Sequence, residues 1–372
     1  MSADFSAFDQ AAMQRALALA ERGAYTTRPN PMVGCVLAQG EVIVGEGWHQ
    51  RKGGPHAEVF ALQNAGEAAR GATAYVTLEP CAHTGSTGPC ADALIAAGVR
   101  RVVAAMRDPF PKVNGAGFDK LRAAGIAVQS GLMEARARWL NRGFLSLIER
   151  GRPWLRVKMG ASLDGRTALA NGQSQWITGE AARADVQHYR ARSSAILTGS
   201  GTALADNPRL TVRLDDERDF VAPLRVVLDS RLQTPAGSHL LDGSVPSVFL
   251  HRAGITPDAR FACVQCEAVD GDAAGLSLSQ VMQVLAARGV QEVQVEAGAQ
   301  LAGALLRAGL VDELLLYLAP SVLGDEGRGL FAGLGLERLT DAPRFAFHDV
   351  TRLGNDLRLT LLPNEVNPCS PA

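Results

Sequence analysis

His56 and Glu58 stand two residues apart, and Cys81 and Cys90 follow with eight residues between them. One imidazole and two thiolates are the donor set of a catalytic zinc, which keeps three protein ligands and leaves a fourth position for water. Glu58 is surplus to that ligand count. Two residues apart on a helix, His56 and Glu58 point in different directions and do not chelate one ion together. Glu58 therefore reads as the general acid and base: it takes a proton from water, delivers it to a ring nitrogen and protonates the departing ammonia. The bland alternative is a closed structural site completed by a neighbour such as His83. The combination of His-x-Glu with Pro-Cys and a second Cys, each at the head of an expected helix, favours hydrolysis.

These groups need elements to hold them. Apolar spacing predicts a helix over 8–22, stopped by Gly23, then strands over 33–37 and 42–44 that turn at Gln39 and Gly40. An Ala-rich helix over 57–69 carries His56 at its first turn, and a short strand over 74–78 delivers Glu79, Pro80 and Cys81. A loop over 82–89 leads to a helix over 91–97, just after Cys90. Strands over 102–106 and 126–128 flank a helix over 117–124. This alternation predicts an α/β sheet layered with helices, with both ligand clusters at helix N-termini facing each other across the sheet edge. The basic stretch 136–142, interleaved with Trp139 and Leu140, reads as an amphipathic helix near a domain junction.

After a break at 150–153 a second α/β series begins. Strands are expected over 154–158, 195–198, 224–228, 247–250, 292–295 and 313–318, with helices over 179–190, 277–287 and 300–308. The chain thus divides into domains 1–150 and 151–365 and a frayed tail 366–372. The length of 372 residues suits two cores. A net charge of -1 and 5% aromatic content argue against a nucleic-acid groove and for a small-molecule substrate. No apolar run reaches membrane-spanning length, so a cytoplasmic protein without a membrane partner is expected. Six cysteines are too few for a disulfide scaffold. Cys263 and Cys266, a C-x-x-C without a second pair, read as incidental.

The residues around the zinc set resemble the cytidine deaminase superfamily. More closely, Asn30-Pro31-Met32-Val33-Gly34, Gly47-Trp48-His49, Pro55-His56-Ala57-Glu58 and Thr77-Leu78-Glu79-Pro80-Cys81 resemble the bifunctional riboflavin-biosynthesis deaminase/reductase family. That family also has eight residues between its cysteines. The resemblance implies deamination of a diaminopyrimidine ribonucleotide, with Asn30 and His49 shaping the pocket. Ser86 stands where the family usually carries a basic residue.

In the second half there is no G-x-G-x-x-G and no P-loop. The glycine turns at 198–202 and 296–300 are either tight turns or cradles for phosphate. Lys158-Met159-Gly160, Ser174-Gln175-Trp176, the run 206–213 and Val295-Glu296-Ala297-Gly298 resemble the reductase half of the same family, whose fold is similar to dihydrofolate reductase. The resemblance implies NADPH and reduction of a ribosyl group to ribityl. It places Gly160, Trp176, Thr202, Asp206, Ser230 and the turn Gly298, Ala299, Gln300, Leu301, Ala302, Gly303 and Ala304 at cofactor positions. Ser174, Arg190, Leu210, Arg213 and Glu296 fall at substrate positions. Arg190 and Arg213 are forks suited to a sugar phosphate or are surface charge, and Lys158 touches the opened sugar or flanks a strand. A homo-oligomer is expected.

Overall fold

The computed structural model describes residues 5–82, 88–111, 113–272 and 275–364; His83, Ser86 and the expected tail 366–372 lie outside them. Two compact units result: Met1–Gly151 with Asp219–Val221, and Arg152–Arg218 with Ala222–Ala372.

In the first unit, α1 (Ala7–Glu21) starts at a capping box in which Ser6 and Asp9 satisfy each other's backbone N–H groups. There follow β1 (Gly34–Gln39), β2 (Val42–Trp48), α2 (Ala57–Ala65), β3 (Thr73–Val76), α3 (Cys90–Ala96), β4 (Arg101–Ala104), α4 (Ala116–Ala123), β5 (Ala127–Ser130), α5 (Glu134–Leu140) and α6 (Arg142–Arg150). The strand order is β2-β1-β3-β4-β5, antiparallel as far as β3 and parallel beyond it. Alternation along the strands sends Val36, Tyr75 and Val103 into a core with Met13, Leu17 and Leu140. Leu37, Val76 and Val102 enter a second core with Ala57, Ala61, Leu94 and Leu121. Helices therefore cover both faces.

Small residues let α2 lie directly on the sheet. A Cβ on Gly47 would fall 2.4 Å from the Ala57 carbonyl oxygen, so only glycine admits the first turn of α2, where Glu58 sits. The helix is shorter than expected. It ends at Ala65, because Gly66 takes φ +52°, and 66–69 is a 3-10 turn. The expected helix over 136–142 is likewise split between α5 and α6 at Asn141, whose side chain is held by both backbone groups of Met32.

The second unit comprises β6 (Trp154–Ser162), β7 (Arg166–Ala168), α7 (Glu180–Arg192), β8 (Ala195–Gly199), α8 (Ser200–Asp206), β9 (Leu224–Leu228), β10 (Ser247–Arg252), β11 (Gln265–Val269) and the short pair β12 (Gly271–Asp272) and β13 (Gly275–Leu276). It continues with α9 (Leu278–Ala287), β14 (Glu292–Val295), α10 (Ala299–Arg307), β15 (Glu313–Ala319), β16 (Arg328–Gly329), β17 (Phe345–Leu353) and β18 (Asp356–Pro363). The main sheet runs β11-β10-β9-β8-β14-β6-β15-β18-β17, parallel from β11 to β15, with the last two strands as an antiparallel hairpin. β9, β10 and β14 are buried along almost their whole length, as parallel strands covered on both faces must be. Arg156, fully enclosed, reaches Glu313 at 2.8 Å and Glu292 at 2.9 Å and ties β6, β14 and β15 together near their amino ends. Their carboxyl ends are left for the site, the usual place in such sheets. No helix among the described residues is long and apolar enough to cross a membrane.

Candidate active sites

The zinc ligands converge at the carboxyl end of β3, the central strand of its sheet rather than an outer one. His56 is the N-cap of α2 but makes no capping bond with its side chain, which leaves the ring to face the thiols. Its Nδ1 lies 3.2 Å from Cys90 Sγ and 3.6 Å from Cys81 Sγ. Ligands at about 2.0–2.3 Å in a tetrahedron stand about 3.5 Å apart, so this triangle fits one zinc. Cys81 follows β3, and its sulfur accepts the N–H of Cys90 at 3.3 Å, the first residue of α3. Donation from Cys90 and His56 pulls the Cys81 thiol well below its ordinary pKa. Cys90, holding the shared proton and buried, is pushed far above its own. A cation held by both sulfurs would displace that proton to solvent.

Glu58 is 3% exposed and stands outside the triangle. Burial, with the Cys81 thiolate adding, raises its carboxyl to about 7. Edge-on to the His56 ring, 5.4 Å between centroids, His49 Nδ1 meets the Pro55 carbonyl oxygen at 3.0 Å, which can only accept, so Nδ1 carries the proton. Nε2 then accepts from the Asn30 amide at 3.0 Å, and burial holds His49 below its ordinary pKa. The Asn30 side-chain oxygen is thereby turned away from His49. Glu79 is a functional neighbour that spacing did not reveal. Its buried carboxylate accepts the N–H groups of Asp108, Gly115, Gly117 and Phe118, folding that loop against Pro80. A Cβ on Gly117 would lie 1.9 Å from the Pro80 carbonyl oxygen.

A cavity of about 1290 Å³ opens in the second unit. It brings together Lys158, Gly160, Ser174, Trp176, Arg190, Thr202, Asp206, Leu210, Arg213, Glu296, Gly298, Ala299, Gln300 and Leu301, fourteen of the expected residues. Arg190 and Glu296 are not the independent groups their spacing implied. Nε and Nη2 of Arg190 each reach a Glu296 oxygen at 2.7 Å, Nη1 donates to the Thr211 carbonyl at 2.9 Å, and Gln294 donates to Glu296 at 2.8 Å. Burial would raise the Glu296 carboxyl, but Arg190 overrides it and holds it at about 2. Lys158 lies over the Tyr317 ring, 5.7 Å from its centroid, and burial lowers its pKa against the pull of Glu296.

Residues 153–359 match the family described as the RibD C-terminal domain. Residues 6–106 match the cytidine and deoxycytidylate deaminase zinc-binding region. The riboflavin biosynthesis protein RibD of Escherichia coli is 50% identical over 366 residues, which span 95% of this chain and 99% of that one. This chain belongs to the RibD family. Acinetobacter baumannii RibD has a solved structure with a TM-score of 0.89 at 44% identity, covering 96% of this chain and 99% of that one. A Thermotoga maritima protein described as a diaminohydroxyphosphoribosylaminopyrimidine deaminase/5-amino-6-(5-phosphoribosylamino)uracil reductase gives 0.85 at 32% identity, covering 96% and 99%. As a RibD, the chain is a bifunctional deaminase and reductase of riboflavin biosynthesis, with zinc and NADPH as cofactors and small molecules as substrates. Its two folds are those expected, cytidine-deaminase-like and then dihydrofolate-reductase-like.

Four expected RibD cofactor positions do not line the cavity. Ala302 is wholly buried and its N–H is spent on the Gly298 carbonyl, Gly303 packs on the Ala332 backbone, and Ala304 follows within α10. Ser230 lies two residues beyond the end of β9, outside the lining. Conversely, Arg183, Gln187 and Arg328 line it, although no spacing or motif in the sequence singled them out, as does Arg209 of the run 206–213, to which no role was given. Cys263 is exposed and Cys266 half-buried on β11, both free thiols. Among the described residues only His56, Cys81 and Cys90 form a candidate metal cluster.

Proposed function

We propose that the first unit removes the amino group of 2,5-diamino-6-(5-phosphoribosylamino)pyrimidin-4(3H)-one, and that the second reduces the ribosyl group of the resulting 5-amino-6-(5-phosphoribosylamino)uracil to ribityl. The observation that carries this reading is the triangle of His56 Nδ1, Cys81 Sγ and Cys90 Sγ beside a buried, unliganded Glu58. His56, Cys81 and Cys90 hold zinc, which when bound lowers the pKa of water to about 7. Glu58 would carry one proton of the attacking water to the ring nitrogen and then the second, from the hydroxyl now on the ring carbon, to the amino group, which leaves as ammonia as the C–N bond breaks. Asn30, its amide fixed by His49, offers its oxygen to a pyrimidine N–H.

In the second unit NADPH supplies the hydride to C1′. Gly160, Trp176, Thr202, Asp206 and the turn from Gly298 to Leu301 hold it. Lys158 protonates the sugar ring oxygen as the ring opens, and Glu296, anchored by Arg190, accepts from the pyrimidine. Arg213 takes the phosphate, and Ser174 and Leu210 form the wall. The deaminase occupies 1–150 and the reductase 151–365. A cytoplasmic location keeps the zinc thiols reduced. β17, the outer strand, exposes Phe347 and Val350, which suits pairing with a second copy of the chain. Light scattering of a Phe347→Asp variant, with a smaller mass than the parent, checks that pairing.

The deciding experiment supplies the diaminopyrimidine nucleotide and NADPH together. Ammonia is expected first, and loss of NADPH absorbance only after it; ammonia without NADPH oxidation defeats the two-step reading.

A further inference from the structure

The cavity of the second unit carries more positive charge than one sugar phosphate uses. Lys158, Arg183, Arg190, Arg209, Arg213 and Arg328 line it, against Asp206 and Glu296. Arg190 is engaged by Glu296, and Arg183 by the Thr178 carbonyl and the face of Trp176. Arg213 sits beside α7, its N–H bonded to Gln187, and so belongs with the Arg190 cluster. Arg209 and Arg328 remain, and of the two it is the charge of Arg328 that reaches Asp206. The backbone of Arg328 is fixed, since it pairs with Ala168 of β7 and its carbonyl accepts from Thr167 Oγ1 at 3.3 Å. Its guanidinium donates to no acceptor among the described residues. It lies beside Gly172, where a Cβ would come within 3.3 Å of Nη2, and its charge acts on Asp206.

Asp206 and Thr202 of α8 form part of the proposed cofactor site. A carboxylate there suits a free ribose hydroxyl and repels a phosphate on the same sugar. A planar guanidinium opposite it reverses that preference, because it can meet a phosphate with two parallel N–H bonds. We propose that Arg328 sets the cofactor specificity of the reductase by binding the phosphate on the adenosine ribose, the group that distinguishes NADPH from NADH. This rests on the reductase activity proposed above.

The test uses the full-length enzyme with the preformed uracil substrate and compares Arg328→Gln and Arg328→Lys with the parent. KM and kcat are measured with NADPH and with NADH, together with inhibition by 2′,5′-ADP and 5′-AMP. Arg328→Gln is expected to raise KM for NADPH about 10- to 100-fold, the scale of a lost charge-assisted phosphate contact, while KM for NADH moves less than about two-fold. Inhibition by 2′,5′-ADP should weaken and that by 5′-AMP should not; Arg328→Lys should fall between. An unchanged NADPH preference, or equal losses with both cofactors, overturns the assignment. Reduction with NADH at the parental kcat reports a folded reductase unit, and if the Gln variant misfolds the Lys variant decides. A parent enzyme that oxidises neither cofactor defeats the reductase reading instead, which is a different outcome.

Discussion

Burial sets Glu58 and Lys158 opposite problems: it disfavours the charged carboxylate of one and the charged ammonium of the other. Replacing Glu58 by Gln keeps the shape and removes the proton carrier. Ammonia release should drop by at least about 10²- to 10⁴-fold, the usual share of a general acid and base, with zinc content by metal analysis unchanged. Surviving activity would mean that another group carries the proton. Lys158 works as an acid only while protonated, and burial brings its pKa below the ordinary 10.5. The reductase rate should therefore begin to fall with rising pH below that value. Lys158→Met should abolish reduction at every pH while ammonia release persists. The zinc set was legible in the sequence because His56 and Cys90 begin helices and Cys81 follows a strand, not a helix head as expected, so that short motifs carry all three. The Arg190–Glu296 pair was not, since its partners are 106 residues apart and only β14 and α7 bring them together.

At the scale of elements, Asp9 links the start of α1 to the sheet. It closes the capping box, accepts two bonds from Arg101 and one from the Tyr75 hydroxyl, and lies 3% exposed. Burial pushes its carboxyl up, but these donors win and hold it at about 2, below the usual 3.8. A folded-state pKa below the unfolded one stabilises the fold above pH 3.8, and that stabilisation is lost as the pH falls through about 2. Asp9→Asn should lower the stability of the first unit by about 3 kcal/mol, as losing one partner of a buried pair does. Heating should then destroy ammonia release at a lower temperature than in the parent, with reduction untouched. Elements differed in how plainly the sequence announced them. β9 and β14 were readable to the residue as short valine-bearing strands, whereas β17 and β18 were overlooked, since β17 carries charged and exposed side chains along most of its length. α8 was read as a bare glycine turn, because Gly201 lies in its first turn and only seven residues follow the helical path.

Across the whole molecule, each unit encloses its own hydrophobic cores, and the zinc triangle and the reductase cavity draw on separate sets of residues. Zinc belongs to one reaction alone. Prolonged dialysis against a strong chelator removes the ion that keeps Cys81 and Cys90 deprotonated together, so the shared proton returns to the pair and no water is activated. The dialysed enzyme should release no ammonia from the diaminopyrimidine, yet oxidise NADPH at the parental rate when given the deaminated uracil compound. Added zinc should restore ammonia release. If chelation silenced both reactions while far-ultraviolet circular dichroism stayed unchanged, the second site would depend on the metal, and Lys158, Glu296 and Arg190 would not be a self-sufficient reductase constellation.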